Sequence, residues 1–542
     1  MPTIARQVYI ISDLHIGGRY PEGVDLAAGI WPDRNDRGFR ICTRVDAMAE
    51  FVRWLAGKPA DGPAIELVIN GDFVDFLAEE WEGPEPWKAF IDDPEAAADR
   101  LDAIIERDRI FFDALAEFLS RGHRLTVLLG NHDVELSFAR VRQRLENALG
   151  VQHGKKFAFL YDGEAYVVGD AVIEHGNRYD GFNVTDHDGL RRVRSIQTRR
   201  EKLRPEHDFR RPPGSKLVAH VMNQLKTRYP FIDLLKPEDS GALPIVLALA
   251  PAAYTVLARL GLARDVAGFA AEASRYNPSP TSQPTHAGDI SSAGGASAAG
   301  DFDDMFAGDI SAGEPVGQSG SSGMDDGMQE LLAEALGKDA AQAFSKEIVA
   351  AAPVASPAQE AMDDEIDVAG DISAGSFVRD VAAKASQALN VAKLLFARET
   401  RPLTDRIDAV YQAVRAVQND RSFDRSIETK SEYRKAAEAL LGHGYKYVVF
   451  GHTHLAKRVE LDGGVYLNSG TWADLMRFPG DILEKPAAEA RTALTEFVQA
   501  LAERRFARYV EFMPTYVQLD LAGDDRVVTA ELHDYRPAKS GA

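Results

Sequence analysis

Short, nearly unbroken apolar runs recur toward both ends of the chain, and the sharpest of them stop at a glycine, an acidic residue or a histidine. Residues 8–12, 65–70 and 125–129 are runs of this kind, rich in isoleucine, valine and leucine, and they predict buried strands. Between them the apolar period changes from two to 3.6. Residues 47–55 predict a helix. So do residues 100–120, where Leu101, Ile104, Ile105, Phe111, Phe112, Leu115, Phe118 and Leu119 form a stripe that stops at Gly122. Residues 157–161, 165–168 and 171–174 predict three short strands parted by turn residues. The strand pattern resumes at 447–450, 457–461 and 464–468. A helix near 484–505 follows, then a C-terminal hairpin of 517–521 and 527–532 about Gly523-Asp524-Asp525. Strands alternating with helices predict an α/β core made from the two ends of the chain.

The middle reads differently. Residues 191–228 hold 12 Lys/Arg against 3 Asp/Glu, a local charge of +9. Residues 243–258 are apolar for 16 positions with Pro251 inside them. A bilayer span needs about 20 such residues, so this stretch predicts a packed pair of short helices, with contact to a membrane surface as the alternative. Residues 277–324 are dominated by Gly, Ser, Ala, Pro and Asp and predict loose or disordered chain. The pentapeptide AGDIS stands at 287–291, 307–311 and 369–373, either as drift within a biased segment or as a repeated motif for a protein partner. Helical patterns return at 325–345, 376–398, 403–418 and 431–441; in the third, Leu403, Ile407, Val410, Tyr411, Val414 and Val417 share one face. The expected organisation is a core in two parts, 1–180 and 443–542. A basic and apolar helical cap over 181–276, a low-complexity segment over 277–375 and a helical return over 376–442 separate them.

Composition narrows the chemistry. A formal charge of −21 argues against a molecule that coats nucleic acid, while leaving room for a local basic surface. Cys42 is the single cysteine, so neither an intrachain disulfide nor a thiolate metal cluster can form, which suits the cytoplasm. Residues 1–7 lead straight into the first strand and lack the pattern of a secretory leader.

Five blocks lie just past predicted strands: Asp13-Leu14-His15, Gly71-Asp72-Phe73-Val74-Asp75, Gly130-Asn131-His132-Asp133, His175-Gly176 and Gly451-His452-Thr453-His454. Each would project from the carboxyl edge of a sheet, where open α/β sheets place their sites. Carboxylate, amide oxygen and imidazole, without sulfur, suit hard-to-borderline divalent cations. Two cations about 3.5–4 Å apart need one shared carboxylate and roughly three further protein ligands each, with room for a bridging hydroxide. The five blocks supply that number.

Taken in order, these blocks resemble the calcineurin-like metallophosphoesterase superfamily, whose pattern is DxH, GDxxD, GNH(D/E), H and GHxH. The resemblance covers residues 8–176 and 445–472. It implies a four-layer α/β/β/α sandwich with a large, mostly helical and partly disordered insertion. It further implies two divalent metal ions, manganese preferred with iron or zinc compatible. Asp13, His15, Asp72 and His454 would hold one ion; Asp72, Asn131, His175 and His452 would hold the other. His132 would act as general acid or stabilise the leaving oxygen, and Asp133 would orient it. The implied reaction is hydrolysis of a phosphate ester by attack of a metal-bridging hydroxide.

The substrate is read from departures within the motifs. Gly71-Asp72-Phe73-Val74-Asp75-Phe76 lacks the arginine of the serine/threonine protein phosphatases. That hexapeptide and Asn468-Ser469-Gly470-Thr471-Trp472 are similar to the UDP-2,3-diacylglucosamine diphosphatase branch, which cleaves a diphosphate. His132 departs from that branch's GNRD and is at home among cyclic-nucleotide phosphodiesterases and nucleases. A phosphodiester or diphosphate is therefore the expected substrate. Arg191, Arg192 and Arg194 are the candidates to grip it, since arginine holds phosphate bidentately. Two alternatives stay open: a nuclease using the basic stretch as a backbone grip, and a partner-binding scaffold with a retained metal site. The expected location is cytoplasmic, with peripheral lipid contact through 243–258 as an extension.

Overall fold

The apolar runs at 8–12, 65–70 and 125–129 lie side by side as parallel strands in the computed structural model of the chain. The structure describes residues 3–20, 38–59, 62–83, 85–151, 156–199, 209–223, 421–503 and 507–536, together with 154, 203, 204, 226, 232, 234–236, 407, 411 and 505. All of these fall within one unit formed by Met1–Thr285 and Ile372–Ala542.

The first sheet contains β1 (Ile4–Ile11), β2 (Ala64–Asn70), β3 (Arg124–Leu128), β4 (Phe157–Leu160), β13 (Thr515–Ala522) and β14 (Val527–Asp534) in the order β14-β13-β1-β2-β3-β4. Strands β1 to β4 are parallel; β13 pairs antiparallel with both β1 and β14. A second sheet contains β5 (Tyr166–Val168), β6 (Ala171–Ile173), β8 (Tyr447–Phe450), β9 (Lys457–Leu461) and β10 (Gly464–Asn468) in the order β5-β6-β8-β10-β9. Strand β6 pairs in parallel with β8. The long middle segment is thus inserted between two neighbouring strands of one sheet. A small third sheet joins β7 (Leu235–Lys236), β11 (Leu475–Arg477) and β12 (Val510–Glu511).

Period two along each strand sorts side chains into layers. Val8, Ile10, Val68 and Leu128 share a buried cluster with Ile173, Val449, Leu467, Val517 and Leu519, which fills the space between the two sheets. Tyr9, Ile11, Leu67, Ile69, Leu125 and Val127 point the other way. They meet α1 (Val45–Ala56), α2 (Pro94–Arg107), α3 (Arg109–Ser120) and α4 (Ala139–Leu149). On the far side, the helix Ser431–Gly442 lays Tyr433, Ala436, Ala437 and Leu440 over Val172, Val448, Phe450 and Tyr466. The result is the four-layer α/β/β/α arrangement. Strands buried on both faces explain why the sequence shows apolar runs rather than alternation.

Two elements differ from the sequence reading. The stripe over 100–120 is two helices, α2 and α3, broken at Asp108. Position 108 continues the apolar phase of the stripe but carries a carboxylate. Asp108 is buried and accepts a hydrogen bond from Arg40 at 2.6 Å, and that buried pair holds it at the break. The helix near 484–505 is interrupted by Pro486, giving Asp481–Glu484 and Ala487–Ala502. The expected C-terminal hairpin is present as β13 and β14, and β13 also covers the edge of β1. The apolar segment 243–258, the AGDIS repeats and the helical patterns at 325–345 and 376–398 lie outside the described residues. From 403–418 the structure describes Ile407 and Tyr411, both helical and buried. No helix among the described residues is long and apolar enough to cross a membrane.

Candidate metal centre

The chain turns sharply after three of the parallel strands, and the turning residues carry the chemistry. Asp13 and His15 follow β1, Asp72 follows β2, and His452 and His454 follow β8. All five have positive φ, between +46° and +65°; Asp525 is the other non-glycine residue so placed among those described. Left-handed backbone costs a residue with a Cβ about 1 kcal/mol or more, and it persists only where surrounding structure enforces it. Here the enforcing contacts run across the sheet edge: Asp13 N–H donates to Gly71 O, and His15 N–H donates to Asp72 O. The glycines of the motifs permit the approach. A Cβ on Gly130 would stand 2.1 Å from Asp72 Oδ1, and one on Gly71 would stand 2.4 Å from His175 Nδ1.

These turns bring the side chains to one point between the two sheets. Asp13, His15 and His454 form one group of converging donor atoms; Asp72, His175 and His452 form a second. In the first, His15 Nε2 lies 3.0 Å from His454 Nε2, and His454 Nε2 lies 3.3 Å from Asp13 Oδ1. In the second, His175 Nε2 lies 3.2 Å from Asp72 Oδ2. The same Asp72 oxygen is 3.8 Å from His15 Nε2, so one carboxylate faces both groups.

The donor atoms suit cations. Asp13 Oδ1, Asn131 Oδ1 and His175 Nε2 are buried and make no hydrogen bond, an arrangement that costs energy unless something electropositive sits against them. His175 Nδ1 is 2.8 Å from Asn70 O, and a carbonyl can only accept. Nδ1 therefore carries a proton in either charge state, so in the neutral ring Nε2 is the nitrogen whose lone pair would meet a cation, the usual tautomer of a metal-ligating histidine. Without cations the site holds itself together with protons. Burial pulls the His175 imidazole down, but Asp72 more than offsets it, and the net position is about 10. Burial pushes the Asp13 carboxyl up, while His454 and His175 hold it at about 2. Asp72 lies well below the carboxylate range for the same reason.

His132 sits beside this cluster. Its backbone N–H donates to Asp72 Oδ1 at 2.9 Å, which fixes the start of the turn. The expectation that Asp133 orients its ring is corrected by the structure. Asp133 accepts from Gly130 N and Phe73 N, each at 2.7 Å, and so ties the third block to the second through backbone. The ring is held by Asp75, whose Oδ1 is 3.1 Å from His132 Nδ1 and whose Oδ2 is 3.3 Å from His15 Nδ1. One carboxylate thus anchors two imidazoles through their outer nitrogens. Burial lowers the His132 pKa, but Asp75 and Asp72 together raise it by more, and the ring is pushed up to about 9.

The three candidate arginines are not brought into the cluster. They lie on α5 (His187–Thr198). Arg191 is exposed and pairs with Asp188 at 3.3 Å, and Arg192 is exposed. Arg194 pairs with Asp162 and lies over the ring of Tyr161. The basic stretch reaches the site through another residue. Residues 218–222 approach Phe76–Ala78, Asn223 donates to Leu77 O at 2.8 Å, and the buried Lys226 lies near enough to His132 to disfavour its imidazolium.

Two further residues enter from the loop after His175. Asp180 Oδ2 is 3.1 Å from His452 Nε2, and Asn183 donates to Asp180 Oδ2 at 2.7 Å. Asn183 Oδ1 in turn accepts from Asn131 Nδ2 at 3.4 Å. This strap links candidate ligands that follow strands of different sheets. Nothing in the local sequence marks it, whereas Asp75 is visible as the last residue of GDxxD.

Residues 6–236 match the model of the family described as calcineurin-like phosphoesterase. No match was found among curated proteins. The matched segment stops short of Gly451-His452-Thr453-His454, and pairing of β6 with β8 is what carries that last block to the others.

Proposed function

Through residues 6–236 the chain belongs to the calcineurin-like phosphoesterase family and is a hydrolase of phosphoester bonds, and from that premise we propose that it cleaves a phosphodiester or diphosphate at a dinuclear metal centre. The observation carrying this reading is the Asp72 carboxylate facing two groups of converging donor atoms, two of whose buried atoms, Asp13 Oδ1 and His175 Nε2, lack a hydrogen bond, as does Asn131 Oδ1. Asp13, His15, Asp72 and His454 would hold one ion, and Asp72, Asn131, His175 and His452 the other. Manganese is the preferred ion, and iron and zinc suit the same donors. Bound there, two cations would supply charge neutralisation for the phosphoryl group and a water of lowered pKa.

The remaining work falls to side chains of the chain itself. His132 is kept protonated by Asp75, which holds Nδ1 and leaves Nε2 to give its proton to the departing oxygen. Lys226 adds a positive charge on that side, where negative charge develops. In this reading Lys226 takes the phosphate-contacting role expected of Arg191, Arg192 and Arg194. The proposal includes a cytoplasmic location, in keeping with a lone thiol, Cys42, that is buried and pushed up to about 12.

A manganese-supplemented activity panel tests the reading. It holds a generic phosphodiester, a phosphomonoester, a nucleotide-diphosphate lipid and single- and double-stranded DNA. The diester and the diphosphate should turn over, and Asp72→Asn should lose at least roughly a hundredfold, the scale expected when a metal ligand is removed. Cleavage of the monoester alone would overturn the substrate assignment, and undiminished turnover by the variant would overturn the metal centre.

A further inference from the structure

A small cavity opens beside the metal cluster, and its lining is unlike the rest of the molecule. His454 forms part of its wall, with Phe423, Arg425, Thr471, Arg477 and Met513 among the other lining residues. The cavity measures about 50 Å³, on a scale where one water needs about 10–15 Å³, so it has room for a phosphoryl-sized group. No Asp or Glu among the described residues lines it, although the chain as a whole carries 83 acidic against 62 basic residues. Two guanidiniums face this space. Arg425 is already neutralised by Asp534, at 2.6 and 3.2 Å. Arg477, at the end of β11, has no carboxylate partner among the described residues; its Cζ lies 4.1 Å from the centre of the Phe423 ring. Stacking on an aromatic face holds the planar fork in place while its N–H donors stay available.

We propose that this cavity is a second-anion subsite and that Arg477 binds there a second phosphoryl group of the substrate, joined to the one held at the cluster. This rests on the phosphoesterase reading above and narrows it toward diphosphates. The geometry is the argument. His454 belongs both to the cavity wall and to the cluster, so a group seated in the cavity adjoins the phosphoryl group at the metals. Phe423, Leu455, Leu475 and Met513 give the space an apolar lining on the side of Arg477, and an apolar surround strengthens a charge-assisted hydrogen bond.

The test uses the full chain loaded with manganese and two probes, inorganic phosphate and the non-hydrolysable imidodiphosphate, titrated by calorimetry. The wild type should bind imidodiphosphate more tightly than phosphate. Arg477→Ala should weaken imidodiphosphate by roughly ten- to a hundredfold, the worth of a charge-assisted contact, while phosphate affinity stays within about threefold. Arg477→Lys should recover part of the loss. Arg477 is exposed, so neither variant removes a core side chain. An unchanged imidodiphosphate affinity, an equal weakening of both probes, or no preference in the wild type would overturn the subsite while leaving the phosphoesterase reading standing. Failure of the wild type to bind either probe would overturn both.

Discussion

Asp75 does what a nearer neighbour in sequence looked placed to do. Asp133 adjoins His132, yet its two oxygens are taken by backbone N–H groups, and the ring is held from Asp75, 57 positions away. Because Asp75 also holds His15, Asp75→Asn offers one acceptor to two rings that need two. The variant should retain its metals and lose roughly ten- to a hundredfold in turnover, the usual effect of removing a partner that orients a ligand. Metal content measured beside kcat checks this. Loss of both ions in the variant would make Asp75 a ligand instead. At this scale the residue types and blocks were legible, since each ligand candidate stands directly past a strand. Which oxygen meets which nitrogen was not. That depends on left-handed turns at Asp13, His15, Asp72, His452 and His454, whose direction is set by contacts between strands.

Elements were legible where a run is both apolar and short. Strands β8, β9 and β10 begin and end where the pattern placed them. The exception between α2 and α3 has a physical cause. A 3.6-residue stripe reads straight through position 108, and the break becomes visible only with Arg40 standing against Asp108. Asp108→Ala would leave that guanidinium, also largely buried, without its carboxylate. Breaking a buried pair from one side costs about 3–5 kcal/mol. Denaturant unfolding should therefore show a loss of about 3 kcal/mol, and a loss below about 0.5 kcal/mol would mean that Arg40 finds solvent when unpaired. The short strands β7, β11 and β12 went unread because pieces of two or three residues have no period to detect.

For the whole molecule, the candidate ligands matter because they come from both sheets. Asp13, Asp72 and Asn131 follow strands of the first; His175, His452 and His454 follow strands of the second. A cation bound to both groups ties the sheets together and binds only the folded chain. At a free concentration 100 times the dissociation constant this contributes about 2.7 kcal/mol. Stripping metal with a chelator should lower Tm by several degrees, and manganese should restore it where magnesium, which prefers oxygen ligands and retains its waters, does not. A Tm indifferent to the chelator would argue that the buried donors are satisfied by protons alone.

The sequence by itself determined an α/β core, through short apolar runs alternating with helical stripes, and the inventory of candidate metal-binding groups, through blocks set at strand ends. These are local properties, recorded within a few residues of each site. Only the tertiary structure decided how the groups are shared. It put Asp75 rather than Asp133 on His132, Lys226 rather than Arg194 near the site, Asp180 on His452 and, beside His454, an Arg477 with no carboxylate partner among the described residues. Each of these depends on chain segments far apart in sequence, and on which of several identical charges finds a partner first. Arg194 met Asp162, whereas Arg477 met an aromatic ring and kept its charge available.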